Sequence, residues 1–345
     1  MAILVTGGAG YIGSVVSEAL LEDGQEVIAL DNLSHGYPDA VPAGARLERG
    51  DVGDAGRLDE IFRQYAIDGV IHMAAFIEVG ESVREPTKYL ENNFARPLTL
   101  LEAMRRHKVR DFVLSSTAAV YGLPDATPIA ESAPTRPINP YGSSKLMLET
   151  ALAWQARSQG LRYAALRYFN AAGATAASGE RHVPESHLIP LVLETAAGER
   201  PQLAIFGDDY DTPDGTCIRD YIHVRDLAEA HLIALRRLRD APDAAESTAR
   251  EAGAPQLATR AYNLGNGRGF SVREVIDAAE RVCGKKIPVR LAPRRPGDPA
   301  RLVAASDKML AAGWRPRHTD LEEIIASAWR WKRQHAPAAK SQVSS

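Results

Sequence analysis

The sequence has 345 residues, of which 45% are hydrophobic and 25% are charged, a balance typical of a globular protein with a sizeable core. The formal net charge of −3 at pH 7 gives no electrostatic support for binding to nucleic acid or to an anionic membrane. The two cysteines, Cys217 and Cys283, lie far apart, which favours a reducing, cytoplasmic location and argues against a disulfide framework or a metal site. No apolar run reaches the ~20 residues that a transmembrane helix needs.

Short apolar runs alternate with helical patterns over the first half of the chain. Runs rich in β-branched and aliphatic residues predict strands at 2–6, 26–30, 69–73, 111–115 and 162–167. Between them, apolar residues follow a helical period at 12–23, 57–65, 89–107 and 143–158. This alternation predicts an α/β fold with a doubly wound parallel sheet of Rossmann type. Further helices are predicted at 186–198, 224–239 and 271–283.

A glycine-rich turn joins the first predicted strand to the first predicted helix. Its glycines are Gly7, Gly10 and Gly13. Gly7 permits the tight turn, Gly10 lets the backbone approach a pyrophosphate, and Gly13 lets the helix pack closely on the strand. The N-terminus of the helix then offers free N–H groups to the phosphates. The turn, in this context, predicts a dinucleotide site.

Asp31 ends the second predicted strand, 18 residues after Gly13. A carboxylate there can accept hydrogen bonds from both adenosine ribose hydroxyls and repels a 2′-phosphate. Since no arginine follows in Asn32-Leu33-Ser34, NAD is favoured over NADP. Asp51 and Val52 follow the third strand-like run; Asp51 is interpreted either as a contact to the adenine edge or as an ordinary turn residue.

Tyr141 and Lys145 lie four residues apart at the start of a predicted helix. Positions i and i+4 share one helix face, so a phenol and an ammonium would point into the same space. An unperturbed tyrosine has a pKa of about 10, and a nearby cation favours its phenolate. The pair is interpreted either as a general base or as a solvated lysine beside a packed tyrosine.

Four segments taken together resemble the extended short-chain dehydrogenase/reductase family. They are the glycine-rich turn, Ser115–Gly122, Tyr141–Lys145 and Arg167–Asn170. Within this family the sequence is most similar to enzymes that interconvert UDP-galactose and UDP-glucose. The resemblance implies C4 epimerisation through a 4-keto sugar with tightly bound NAD, and a homodimer formed through helices 89–107 and 143–158.

The resemblance also implies roles for individual residues. Tyr141 is the acid/base, Lys145 binds the nicotinamide ribose and lowers the pKa of Tyr141, and Thr117 hydrogen-bonds the sugar O4. The residues implied to bind the cofactor are Gly7, Gly10, Tyr11, Ile12, Gly13, Asp31, Asn32, Asp51, Val52, Ala74, Asn92, Ser115, Tyr141, Lys145 and Tyr168. Those implied to bind the UDP-sugar are Thr117, Asn170, His187, Leu188, Arg219, Arg295 and Asp298.

From about residue 173 the alternating pattern loosens and loops rich in Gly, Pro and Asp appear, which divides the chain into two regions. We expect an NAD-binding domain at 1–172, to which segments near 218–235 and 261–267 return. A smaller, mainly substrate-binding region is expected at 173–336. The stretch 240–259 is rich in Ala, Pro, Glu and Ser without an apolar period and predicts a surface insertion, whereas 337–345 is predicted to be a disordered tail.

Departures from the family pattern leave the substrate open. Ile77 stands where some members have a lysine, and His187 where some have an asparagine. Leu302 leaves more room beside the sugar than a tyrosine would, so epimerisation of UDP-GlcNAc/GalNAc or of a UDP-pentose is an alternative.

A dehydratase is disfavoured, because Ala118 and Ala119 cannot transfer protons where that reaction requires it. An inactive NAD-sensing protein is a further alternative, but such a protein has no chemical need for Tyr141. His72 and His223 are interpreted as structural, since neither has neighbours at metal-ligand spacing.

Overall fold

A computed structural model describes residues 1–240, 257–295 and 297–335. The predicted insertion at 240–259 lies mostly outside these residues, and the predicted tail at 337–345 lies wholly outside them. The strands are β1 (Ala2–Thr6), β2 (Glu26–Asp31), β3 (Arg46–Arg49), β4 (Ile67–His72), β5 (Asp111–Thr117), β6 (Arg162–Tyr168), β7 (Asn170–Ala172), β8 (Leu203–Phe206), β9 (Ile218–His223), β10 (Ala261–Leu264), β11 (Gly269–Ser271), β12 (Val289–Ala292) and β13 (Arg301–Leu302). The α-helices are α1 (Tyr11–Glu22), α2 (Ala55–Gln64), α3 (Val79–Arg84), α4 (Pro86–Leu90), α5 (Arg96–Arg106), α6 (Pro140–Gln159), α7 (Leu188–Ala197), α8 (Val224–Asp240), α9 (Val272–Cys283), α10 (Asp307–Ala311) and α11 (Leu321–Gln334).

Seven strands form one parallel sheet in the order β10-β6-β5-β4-β1-β2-β3. The predicted doubly wound α/β fold is therefore confirmed. The chain runs from β1 outward to β3, returns to β4 beside β1, and then continues outward in the other direction. The strand order reverses between β1 and β4, and in such sheets a crevice for ligands opens there, beyond the carboxyl ends of the strands.

Both faces of this sheet are buried, as a parallel sheet requires. Residues of α2, α5 and α6, such as Phe62, Leu101 and Leu148, cover one face. Residues of α1 and α8, such as Leu20 and Leu235, cover the other. Helix α8 and strand β10 come from the second half of the chain, so later segments contribute to this layer.

A smaller unit follows the large sheet. Strands β7, β9, β11 and β13 form one sheet, and β8 pairs with β12 in another. Its core is supplied largely by α7, α9 and α11, through residues such as Val192, Val275 and Ile324. The sequence patterns above do not predict α11 or the short strands of this unit. Among the described residues, no helix is long and apolar enough to cross a membrane.

The predicted helix at 89–107 is interrupted by one π-helical turn. This turn, Glu91–Ala95, lies between α4 and α5. Single π turns often occur at functional sites, because they change the direction in which side chains point. Here the turn contains Asn92, which lines the cavity described below.

Substitution of Trp314 would test how strongly the C-terminal residues pack against the large sheet. Its ring is fully buried and its indole N–H donates to the carbonyl oxygen of Asp226, at 2.9 Å. We expect Trp314→Ala to lower the free energy of unfolding by about 3–5 kcal/mol, because it removes the ring and leaves a cavity. Urea denaturation followed by circular dichroism measures this loss. A loss below about 1 kcal/mol would show that the ring does not hold these segments together.

Candidate active site

A cavity of about 400 Å³ lies beyond the carboxyl ends of the central strands. Most of the predicted site residues line it: Gly7, Gly10, Tyr11, Ile12, Gly13, Asp31, Asn32, Asp51, Val52, Ala74, Asn92, Ser115, Thr117, Tyr141, Lys145, Tyr168, Asn170, His187 and Arg219. Leu188, Arg295 and Asp298 do not line it. The cavity occupies the crevice where the strand order reverses, which is the expected place for a dinucleotide.

The glycine-rich turn forms one wall, and its close contacts exclude larger residues. Gly7 has a φ of +71°, and a Cβ there would lie 2.7 Å from the nitrogen of Ala74. A Cβ on Gly13 would lie 2.1 Å from the carbonyl oxygen of Gly7. The N-terminus of α1 therefore sits directly against the end of β1. Its first turn, Tyr11–Gly13, faces the cavity, so its N–H groups fit a diphosphate.

Asp31 lies deeper in the same wall and is held in place by backbone amides. Its carboxylate accepts hydrogen bonds from Ala9, at 3.0 Å, and from Leu33, at 2.8 Å. The loop after β2 folds over it, since a Cβ on Gly36 would lie 2.8 Å from a carboxylate oxygen. A fixed, mostly buried anion bordering the cavity suits the two hydroxyls of an adenosine ribose and repels a phosphate.

Asp51 lines the cavity, and its hydrogen bonds are those of a turn residue. One carboxylate oxygen accepts from the amide of Gly53, at 2.8 Å, as a turn residue does. The other accepts from Asn32 and from Arg96, each at 2.9 Å. Although burial acts to raise the pKa of Asp51, these hydrogen bonds and the charge of Arg96 outweigh it and hold the pKa below its usual value. Its contact with adenine stays a prediction.

Helix α6 carries the tyrosine and the lysine, and its start explains their orientation. The Asn139 side chain accepts from the amide of Gly142, at 2.8 Å, and Pro140 occupies the first helical position. The helix thus begins three residues before the predicted Ser143. Tyr141 and Lys145 lie on the cavity face, as their spacing predicts.

Lys145 is buried at the end of β5. Its ammonium donates to the carbonyl oxygen of Ser115, at 3.0 Å. Burial lowers its pKa to about 8, against the opposing attraction of Glu149. Ser115 in turn shares a short hydrogen bond with the hydroxyl of Tyr168.

The surroundings of Tyr141 shift the pKa of its phenol. Burial raises the pKa of its phenol, an interaction with Thr117 lowers it in part, and the charge of Glu78 adds to the rise. Burial is the largest of these effects, and a lowering of this pKa by Lys145 stays a prediction.

Two histidine–carboxylate pairs lie at the opposite wall and were missed by the sequence patterns. His182 pairs with Glu180 at 2.5 Å, and His187 pairs with Glu185 at 2.8 Å. Burial acts to lower the pKa of His187, but the hydrogen bond and charge of Glu185 outweigh it and raise the pKa to about 9. His187 is therefore a cation at neutral pH. Glu180, Glu185 and His187 each place one possible metal-ligand atom within 4.8 Å of the other two. The histidine–carboxylate ion pairs are sufficient to explain why these three side chains lie together.

Arg219 extends the cavity towards the smaller unit. It donates to the carbonyl oxygen of Ile218, at 2.8 Å, and forms an ion pair with Asp298. Asp298 thus acts on the site through Arg219. Arg295 instead is exposed, with its guanidinium 4.0 Å from the centre of the Phe206 ring.

Comparisons with known proteins agree with this geometry. Residues 3–248 match the NAD dependent epimerase/dehydratase family. The chain is 50% identical over 338 residues to the UDP-glucose 4-epimerase of Halalkalibacterium halodurans, covering 97% of this chain and 96% of that protein. The UDP-glucose 4-epimerase of Brucella ovis, solved in complex with NAD, is 44% identical with a TM-score of 0.88 over 95% of this chain and 97% of that one. The enzyme of Bifidobacterium longum, solved with NAD⁺ and UDP, is 37% identical with a TM-score of 0.87 over 97% and 99% of the two chains.

The chain belongs to the NAD dependent epimerase/dehydratase family. The resemblance inferred from the four sequence segments is confirmed, as is the prediction that the cofactor is NAD. The glycine cradle and Asp31 fit this cofactor. Contacts of individual residues with NAD or substrate stay predictions.

Gly13 tests the cofactor site. We expect Gly13→Ala to reduce the NAD that copurifies with the protein at least tenfold, because its Cβ would overlap the carbonyl oxygen of Gly7 and push α1 away from β1. The NAD released on denaturation is measured by chromatography. Gly56→Ala is the control, since its Cβ would approach nothing closer than 3.4 Å. Equal NAD content in both variants would contradict the assignment of the cradle.

Proposed function

We propose that the protein is a cytoplasmic enzyme that interconverts UDP-galactose and UDP-glucose by epimerisation at C4. The convergence of Thr117, Tyr141 and Lys145 on one end of the NAD cavity carries this proposal. The UDP-glucose 4-epimerases at up to about half identity, similar over nearly their whole length, support it.

Tyr141 is the group that moves the proton of the sugar O4. As a phenolate it accepts this proton; a 4-keto sugar results when C4 also loses a hydride, for which bound NAD would be the acceptor. As a phenol it returns the proton after the sugar has turned over and the hydride has come back to C4. Thr117 lies beside the phenol and orients O4. Lys145 supplies a fixed cation next to the strand end. Bound NAD supplies reversible hydride transfer and a positive ring that favours the phenolate.

The opposite end of the cavity suits the nucleotide diphosphate. Arg219 and the cationic His187 both line it, and convergent cations are what a diphosphate needs. The amide of Asn170 is oriented by the carbonyl oxygen of Asp220, at 2.8 Å. A firm hold on UDP leaves the sugar free to turn, as epimerisation requires. Ala118 and Ala119 line the sugar end and offer no acid or base for elimination.

The protein also presents an apolar surface suited to a second copy of itself. Leu98 on α5 and Met147 and Trp154 on α6 are large apolar side chains with 36%, 40% and 49% of their surface exposed. All three lie on the two helices that the resemblance assigns to a subunit contact. We propose that these helices pack against the same helices of the partner in a homodimer.

Tyr141 tests the reaction. Wild-type protein should convert UDP-galactose into UDP-glucose, and Tyr141→Phe should reduce kcat by about 10²–10⁴-fold, the usual contribution of a positioned acid/base. Chromatography separates the C4 epimers and gives the rates on UDP-galactose, UDP-GalNAc and UDP-arabinose. The rate on UDP-GalNAc relative to UDP-galactose shows whether the space beside Leu302 admits an N-acetyl group. Tyr65→Phe, at an unrelated surface, is the control. NAD binding without any epimer would support the NAD-sensing alternative.

Trp154 tests the dimer. We expect Trp154→Glu to shift the protein from dimer to monomer in light scattering after size-exclusion chromatography, because a charge would be buried in the contact. Leu291→Glu, at an exposed apolar residue of β12, should leave the dimer intact. A monomeric wild-type protein would contradict the proposed assembly.

A further inference from the structure

A buried ion pair lies directly behind the catalytic face. Glu149 and Arg167 are each about 1% exposed. The guanidinium of Arg167 contacts both carboxylate oxygens, at 2.5 Å for Nη2 to Oε2 and 3.0 Å for Nε to Oε1. Ser116 donates a further hydrogen bond to Oε1, at 2.5 Å. The pair is thus fully bonded, as a buried pair must be to offset its desolvation.

Each member of this cluster is a near neighbour of a catalytic residue in sequence. Ser116 lies between Ser115 and Thr117 and pairs across the sheet with Arg167. Because strand residues alternate between faces, Ser115 and Thr117 point into the cavity while Ser116 points away from it. In the same way Tyr168 lines the cavity and Arg167 lies behind it.

The third element is α6. Glu149 lies one helical turn after Lys145, on the same face. The ion pair joins α6 to β6, and the hydrogen bond from Ser116 adds β5. These contacts lie next to the positions where the three elements carry Lys145, Tyr168 and Thr117. Arg167 also donates to the hydroxyl of Tyr121, at 3.0 Å.

We propose that Glu149 and Arg167 are positioning residues of the reaction: together they fix Thr117, Lys145 and Tyr168 relative to one another and place an anion behind the ammonium of Lys145. This inference rests on the proposed function. Neither residue lines the cavity, so neither is assigned a contact with the sugar.

The electrostatic part of the role concerns Lys145 alone. Glu149 is the charge that acts on Lys145, and Lys145 in turn acts on His72. Tyr141 shares its helix, Arg167 and Tyr168 lie on β6, and the helices α3 and α4 that pack on α6 carry Glu81, Arg84 and Lys88. Burial holds the pKa of His72 at about 3, so this histidine is neutral. Glu149 is the anion that favours the ammonium, and it acts against burial, which lowers the pKa of Lys145 to about 8.

This arrangement predicts a pH profile. A lysine whose pKa is depressed keeps its charge below that value and loses it as the pH rises through it. With wild-type protein kcat should fall above about pH 8. Glu149→Gln removes the anion and leaves Arg167 as an uncompensated cation, so the fall should begin at least about one pH unit lower.

A purely structural pair would destabilise the fold without moving this profile. The control is Asp111→Asn. Asp111 is also buried and pairs with Arg162 at 2.6 Å, and this pair links β5 to β6 at the ends of the strands opposite to Ser116 and Arg167. Glu149→Asp keeps the charge and shortens the side chain.

The experiment measures kcat for UDP-galactose from pH 6 to pH 10 and the melting temperature of each variant. We expect lower melting temperatures for both Glu149→Gln and Asp111→Asn. The fall of kcat at alkaline pH should begin at a lower pH only in Glu149→Gln, and at the wild-type pH in Glu149→Asp. An inactive wild-type protein would refute the proposed function. An active wild type with the same limb in Glu149→Gln would overturn the positioning role.

A double variant covers the case in which Glu149→Gln does not fold. Replacing both charges, as in Glu149→Met with Arg167→Met, removes the unpaired ion, and such replacements are often neutral for stability. We expect its melting temperature to approach that of the wild type while kcat stays at least tenfold lower. Recovery of kcat together with stability would show that the pair serves the fold alone.

Discussion

The site depends on the hydrogen bond from the buried ammonium of Lys145 to the carbonyl oxygen of Ser115. This contact fixes α6 against the end of β5. Tyr141, one turn earlier on the helix, is thereby placed beside Thr117 at the end of the same strand. The N-terminal wall has an equivalent constraint, because Gly7 and Gly13 let α1 rest on β1 without a side chain between them. Both constraints act at the edge where the parallel strands end.

Burial has opposite consequences for the two ionisable groups of α6. It raises the pKa of Tyr141 and lowers that of Lys145, so it opposes the charged form of each. The chain places an anion, Glu149, behind the lysine. For the phenol, Thr117 is a favourable partner, and in the proposed reaction the positive ring of bound NAD would add a charge that favours the phenolate. On this account, the acid/base group is matched to its task only when the cofactor is bound.

The sequence is most informative where the chemistry is local. The strands of the large sheet, the glycine turn, Asp31 and the spacing of Tyr141 and Lys145 each depend on a few neighbouring residues. The apolar pattern of α6 does not reveal its first turn, which Asn139 caps and Pro140 begins. The four segments found together indicated the family, which a single tyrosine–lysine spacing does not.

Contacts between distant segments were not predictable in this way. The pair of Glu149 and Arg167 joins a helix to a strand that follows it, and nothing in either local pattern signals the contact. The short strands of the smaller unit have weak periodicity. The ion pairs that His182 and His187 form with Glu180 and Glu185 lie in an irregular loop. Arg295 was assigned by resemblance to a site that its side chain does not line. Its stacking on Phe206 depends on strand pairing far along the chain.

In the proposed reaction Tyr141 carries only the proton of the O4 hydroxyl, while the hydrogen on C4 never enters the pool of exchangeable protons. The most direct measurement follows UDP-galactose carrying deuterium at C4 through complete conversion in ordinary water. We expect the UDP-glucose product to retain its C4 deuterium, which mass spectrometry measures. Loss of that deuterium to solvent would contradict it, because the C4 hydrogen would then have left as a proton.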